Sequence, residues 1–419
     1  MNGQAYDLER MNFAKRICAD DANLIETIDI RASENDQVNT IINDILKQNN
    51  FKKMYRKQTE EMSANGTVGC YVRIDGANIY EDGSFRGGDI KLEYCDTLSI
   101  FPLTVINNNI TECAFYGSNT VKNKRQYTIV MFVINERGNY VAETHKFDEY
   151  QVEIEEEKQI VELSTVKPFA IMRVAENNNL KMRGYGYPKL WNAIPMLKTL
   201  DLSMTLWNRD LEKSDKLLLV NEALGQYNPK TKQIEPPSKQ KLGIFVQVGK
   251  DKLPDEKSLV QEFNPEIRID QVTKSIETAL SLLSMSFGFG TKKYTFEQGR
   301  IVTATEYIGE RQDAMQEVNK QRDESTEYIS DIIKAIAYFY ELTQGIVLQI
   351  DNIDIDFDDS YIEDRVSIAD SMRNDALTFN IPKLTEMYLK KKYGFNDDEV
   401  AEILGQMQDE GDEGEEFEE

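Results

Sequence analysis

Hydrophobic positions along the chain change their spacing several times, and each change marks a boundary between kinds of structure. Leu8, Met11, Ala14, Cys18, Ala22 and Ile25 recur at helical intervals, and Val38, Ile41, Ile42 and Ile45 give a second amphipathic helix from about Asp36. A third helix runs through Met54 and Met62 and stops at Asn65-Gly66, where glycine permits a left-handed C-terminal turn. The period then drops to two. TVGCYVRID, DIKLEYCD, ITECAFYG, QYTIVMFVI and YVAETHKF alternate or run apolar in short bursts, and Glu136-Arg137-Gly138-Asn139 supplies a hairpin turn. Helices followed by antiparallel strands predict an α+β body.

From Pro188 the helical period returns through Leu190, Ile194, Leu197, Leu200, Met204, Trp207 and Leu211, with Pro195 predicting a kink or the true first turn. LLLV, GIFVQV and LVQEF, separated by Pro236-Pro237 and Pro254, predict a small β-rich insertion. Ile269, Val272, Ile276, Ala279 or Leu280, Leu283 and Phe287 form a second helical stripe, with Asn264-Pro265-Glu266 as its start signal. A Gly-punctuated segment, SFGFGTKKYTFEQGR, then leads into a third helix. Thr303 and Glu306 fit a capping box at its start, and the pattern lasts to Gly345, about forty residues or ~60 Å. Its middle, NKQRDEST, is nearly all polar, which predicts a helix that crosses a solvated gap or packs on neighbouring subunits.

Beyond Gly345, Asp351, Asp354, Asp356, Asp358 and Asp359 alternate with apolar residues. A strand with a solvated acidic face is expected there, because the glycine of a calcium-binding EF-hand loop is missing. Helical patterns follow around 368–377 and 384–389. A last short helix starts at Asn396, a good N-cap, and DEGDEGEEFEE reads as a solvated tail.

Charge narrows the partners. With 73 acidic against 49 basic residues the net charge is −24, which argues against a tight DNA clamp but allows weak contact with a sliding polyanion. Cys18, Cys70, Cys95 and Cys113 lie far apart with no CxxC pair, so reduced thiols are expected rather than a disulfide framework or a zinc ribbon. The single histidine, His145, sits in an alternating strand, which excludes sites that need two imidazoles. No catalytic residue, metal site or cofactor motif is assigned, and the reading is of a protein that is not an enzyme. MNGQAYDLER lacks the regions of a signal peptide and no apolar run approaches the ~20 residues of a membrane span, so a soluble protein made in a cytoplasm is expected.

Two glycine-rich segments invite a phosphate reading. RGYGYPK and SFGFGTKK match neither GxGxxG after a strand nor the GK[ST] ending of a P-loop. The first is expected to be a flexible joint into the helix at Pro188. In the second, Lys292, Lys293 and Arg300 interleave with Phe289, Tyr294 and Phe296, and an ordinary helix connection and a polyanion-touching loop both fit.

RMNFAKRICADDANLIE, GDIKLEYCDTLSIFPL…ITECAFY, GYGYPKLWNAIPMLKTLDLSMTLWNRDLEKS and SFGFG…IVTATEYIGERQDAMQEVNK stand in an order that resembles the portal proteins of tailed double-stranded-DNA bacteriophages, of the siphophage type that joins head to tail. TATEYIGE, opening a long helix after a Gly-rich loop, is the most specific of these. The resemblance implies an α+β portal fold: a wing over 1–187, stem helices over 188–216 and 268–286, a clip over 217–267, a tunnel loop over 287–302, a long wing helix over 303–348, a crown over 349–408 and an acidic tail over 409–419. It implies a ring of about twelve copies at the portal vertex of the virion capsid, assembled in the host cytoplasm, through which DNA is packaged and ejected. Its partners would be double-stranded DNA, terminase, a head-tail adaptor and the major capsid protein, with no membrane. Lys292, Lys293, Tyr294 and Arg300 would face the channel, and Tyr227, Lys230, Lys232 and Lys239 would lie on the docking clip. The competing readings are a capsid-associated structural or scaffolding protein without a channel, and a nucleic-acid enzyme of the packaging machine.

Overall fold

The computed structural model describes residues 8–76, 78–79, 85–121, 123–155, 158–212, 214, 217–221, 226–228, 232–235, 245–248, 260–263, 266–290, 293–294, 304–358, 373–375, 382–393 and 400. Three helices open the chain: α1 (Phe13–Ala22), α2 (Asp36–Gln48) and α3 (Phe51–Asn65), with β1 (Thr27–Arg31) between the first two. Asn35 caps α2, its side chain accepting from the Gln37 N–H at 2.9 Å, and α3 ends where expected, on Gly66 at φ +89°. The apolar repeat from Leu8 to Ile25 contains only ten helical residues, because Asn12 turns left-handed before Phe13 and a 3₁₀ turn follows Ala22.

The strands form two antiparallel sheets that face each other. β6 (Ile100–Ile106), β7 (Asn109–Val121), β8 (Lys124–Ile134), β9 (Tyr140–Phe147) and β10 (Gln159–Glu162) make a five-stranded meander in the order β10-β9-β8-β7-β6. β11 (Phe169–Arg173), β2 (Thr67–Asp75) and β5 (Asp89–Cys95) make the second, while β3 (Asn78–Ile79) and β4 (Phe85–Arg86) form a small hairpin. Aromatic side chains fill the space between the sheets: Tyr71 lies 5.0 Å from Phe115, and Phe169 lies 5.7 Å from Phe115 and 5.6 Å from Phe132 between ring centres.

Two further helices, α4 (Lys189–Glu212) and α5 (Ile269–Ser286), pack side by side and antiparallel. Ser203 meets Ser275 at 2.9 Å, and Arg268 grips Asp210 with two bonds of 2.9 and 2.7 Å at the far end. Between them in sequence lie β12 (Leu217–Asn221), β13 (Gln226–Asn228), β14 (Gln233–Glu235), β15 (Phe245–Val248) and β16 (Val260–Phe263), the expected β insertion, with β12 parallel to β15 and antiparallel to β16. Pro195 lies within α4, which continues through it from Lys189.

Helix α6 (Ala304–Gln344) is the longest element. The expectation that its polar middle meets solvent or another subunit holds for one face only: Asn319, Lys320 and Asp323 are exposed, but the opposite face is inside. Gln321 and Ser325 are buried against β11: the Gln321 amide donates to the Arg173 carbonyl at 2.8 Å and accepts from the Ala175 N–H at 3.0 Å. Tyr328 donates to Gln58, which donates to the Gly69 carbonyl at 2.7 Å. Polar side chains sit inside because each finds a partner: Gln321 and Gln58 bond to strand backbone, Ser325 to the Gln321 carbonyl and Tyr328 to Gln58. The acidic run after Gly345 does form a strand, β17 (Asp354–Phe357), paired antiparallel with β1 and alternating exposed with half-buried positions. A seventh helix, α7, covers Pro382–Tyr393. The Thr303 cap, the helices expected around 368–377 and from Asn396, and the acidic tail fall outside the described residues, apart from 373–375 and 400.

The segment RGYGYPK is not a flexible joint. Gly186 passes so close to Gly66 that a Cβ on it would stand 2.1 Å from the Gly66 carbonyl oxygen. The Gly186 N–H also donates to Thr67 at 2.8 Å. Absence of side chains here serves a backbone crossing that locks the entry to α4 onto the end of α3.

Candidate functional site

Helix α5 stops by a left-handed turn at Gly288, φ +75°, with the Phe289 N–H donating to the Ser284 carbonyl at 3.1 Å. Phe287 and Phe289 stack at 6.2 Å between ring centres and are buried. They pin the start of the Gly-rich loop to the body.

The described part of the loop beyond them is turned toward α1. The Lys293 ammonium lies 3.6 Å from the centre of the Phe289 ring and 4.0 Å from the Asp20 carboxylate. Tyr294 donates to the same carboxylate at 2.7 Å and meets the edge of Phe13 at 4.9 Å. Arg16, one turn earlier on α1, adds a bond of 3.1 Å to Asp20. Burial pushes the Lys293 ammonium below its ordinary pKa, against the opposing pull of Asp20 and Asp21.

The neighbouring carboxylate faces the other way. Asp21 takes both bonds of the buried Lys189 ammonium, at 2.9 and 3.1 Å, and accepts from the Ser63 hydroxyl at 2.6 Å. One short helix therefore holds the loop root through Asp20 and the start of α4 through Asp21. Sequence reading missed this network. Its signal was present: Asp21 lies three residues after Cys18 and four before Ile25, inside the apolar stripe, where an acid must be paired.

Of the other residues singled out from sequence, Lys292 and Arg300 lie outside the described residues, as do Lys230 and Lys239. Tyr227 is on β13, opposite Ile234 of β14, and Lys232 is exposed at the turn joining them with φ +53°. His145 is on β9, half buried, with Nδ1 2.5 Å from Glu153. That hydrogen bond holds the Glu153 carboxyl below its usual range. All four cysteines are free and buried, and burial pushes the Cys18 and Cys113 thiols up to about 12 and the Cys70 thiol well above its ordinary value. Among the described residues no group of acids, cysteines and histidine is arranged to hold a metal ion, and no helix is long and apolar enough to cross a membrane.

The antiparallel pair α4–α5 keeps apolar side chains on its outside. Trp191, Ile194 and Leu202 of α4 and Ile269, Leu282 and Met285 of α5 are exposed although both helices bury other faces against each other. Apolar side chains exposed on a strongly acidic chain suit contact with protein better than a grip on nucleic acid.

A family model described as "Phage portal protein, SPP1 Gp6-like" matches residues 9–416. No curated protein matches the chain. Among solved structures, a chain from "Neck of native GTA particle computed with C12 symmetry" is similar at 7% identity, covering 94% of this chain and 88% of that one with a TM-score of 0.37, too loose for an argument.

Proposed function

The chain belongs to the SPP1 Gp6-like phage portal proteins, and from that premise we propose that copies of it close into a ring whose channel passes double-stranded DNA during packaging and ejection. The α4–α5 pair would be the stem around the channel, the β12–β16 module the clip, the sheets with α1–α3 and α6 the wing, and the segment from about 349 the crown. The observation that carries this reading is the apolar side chains exposed on the outside of the α4–α5 pair, followed after α5 by a loop whose root, at 287–290 and 293–294, is held against α1. A ring covers that face with a neighbour's helices, and one loop per copy then repeats around the axis.

The loop would divide its work. Lys292 and Arg300 would touch passing phosphates, while Lys293 and Tyr294 brace the root on Asp20. Net charge of −24 keeps such contacts weak, because a wall able to release many counterions from DNA would hold it rather than let it move. The β13–β14 hairpin, with Tyr227, Lys230, Lys232 and Lys239, would dock terminase and later the head-tail adaptor, and the body would meet the major capsid protein. The ring would assemble in the host cytoplasm and remain at the capsid vertex. Catalysis would reside in the terminase.

Cryo-EM of the purified ring tests the channel: Lys292 and Arg300 are expected on its inner wall, and their placement on the outer surface would refute the assignment. Removing 228–240 should abolish terminase or adaptor docking while the ring still forms. Undiminished docking would remove the clip from the interface.

A further inference from the structure

The five-stranded sheet ends in two unlike surfaces. At one end β6 is an edge strand, and Phe101, Leu103, Val105, Met182, Arg183 and Tyr185 line an open groove beside it. Phe101 is 50% and Leu103 48% exposed, and Lys181 and Arg183 stand exposed on either side of Met182. This edge is not built to extend a ladder. Pro102 brings no N–H, and the β6–β7 register shifts on both sides of Thr104, two devices that stop an edge strand from pairing with another strand. What remains is an apolar groove with a cationic rim.

At the other end the chain leaves β9 and turns back toward β10. The turn is firmly built: the Asp148 carboxylate accepts from the Tyr150 and Val152 N–H groups, both at 2.9 Å, and the Asp148 N–H donates to the Val152 carbonyl at 2.9 Å. Gln151 takes a left-handed φ of +63° to close it. This frame holds Tyr150 77% and Val152 60% exposed, with Glu155 exposed beside them, Glu149 meeting Lys124 at 3.2 Å and Glu153 meeting His145 at 2.5 Å. A tyrosine fixed by a backbone turn loses little freedom on burial, which is why such residues anchor interfaces.

We propose that the turn at 148–152 of one copy seats Tyr150 in the β6 groove of the next copy, with its glutamates against Lys181 and Arg183. The occupant is a second copy of this chain, because the groove and the knob are complementary in charge and both are apolar at their centre. Since the two surfaces differ and lie at opposite ends of one sheet, the contact is head-to-tail, the kind that closes into a ring. This rests on the ring reading above and assigns one of its seams.

The test is cross-linking in the full chain. A Leu103→Cys, Val152→Cys double variant treated with a short bismaleimide should give a ladder of covalent multimers, and neither single variant should. The native thiols do not interfere, being buried with raised pKa values. Tyr150→Ala should raise the protein concentration needed for assembly by roughly tenfold or more. Its thermal midpoint as a monomer should not move, because the side chain is exposed there. A ring by native mass with no ladder would overturn this seam alone. No oligomer of the wild-type chain at any concentration would overturn both the seam and the ring.

Discussion

Asp21 is held by one ammonium and one hydroxyl in a place water does not reach, so its partners are the side chains whose loss costs most. Lys189→Ala should destabilise by about 3–5 kcal/mol, because it leaves a buried carboxylate unpaired, whereas Lys189→Met with Asp21→Leu should recover much of that loss. Thermal midpoints of the three proteins check it, and equal midpoints for wild type and Lys189→Ala would contradict it. Tyr294→Phe removes a bond to a charged acceptor, about 1.5–3 kcal/mol held locally. Hydrogen exchange at 287–294 should accelerate while that of β2 and β11 stays unchanged. Thiol reagents at neutral pH should find none of the four cysteines until the protein unfolds, since each is buried and its thiolate is disfavoured. At this scale sequence reading was good at types and poor at partners. Lys293 and Tyr294 stood out by composition, yet that Asp20, more than 270 positions earlier, receives them is a fact of tertiary packing that no spacing encodes.

Among the elements, glycines at the joint between α3 and α4 carry a sharp expectation. Gly186→Ala would set a methyl against the Gly66 carbonyl, and Gly66→Ala would add strain at positive φ, about 1–2 kcal/mol, to a similar collision. Both should lower the thermal midpoint. Gly117→Ala on β7, with open space around it, should not. The sequence period found α2, α3 and α5, five strands of the two facing sheets (β2, β5, β7, β8 and β9), the β insertion and β17, because in each the apolar spacing is regular. It did not find β1, β6, β10 or β11. β1 and β10 are short, and β6 carries a proline and exposed apolar residues that blur the alternation. The middle of α6 misled for a different reason. Gln321 is inside because it completes the hydrogen bonds of a sheet edge, and Ser325 because its hydroxyl bonds back to the Gln321 carbonyl; polarity alone does not distinguish that from exposure to solvent.

For the whole molecule, order of motifs was more informative than any one motif: the portal resemblance rested on soft segments in sequence, and the family match spans residues 9–416. The division into body, helical pair and β module was visible because the period changes at each border. The exposed faces of α4 and α5 were not, since a stripe that packs on the same chain and one left for a neighbour have the same spacing. That face is the reason to expect an assembly. Native mass measurement of the purified full-length protein tests this most directly: a single closed species of about twelve 48.3-kDa chains is expected, and a monomer or dimer that persists at every concentration would contradict it.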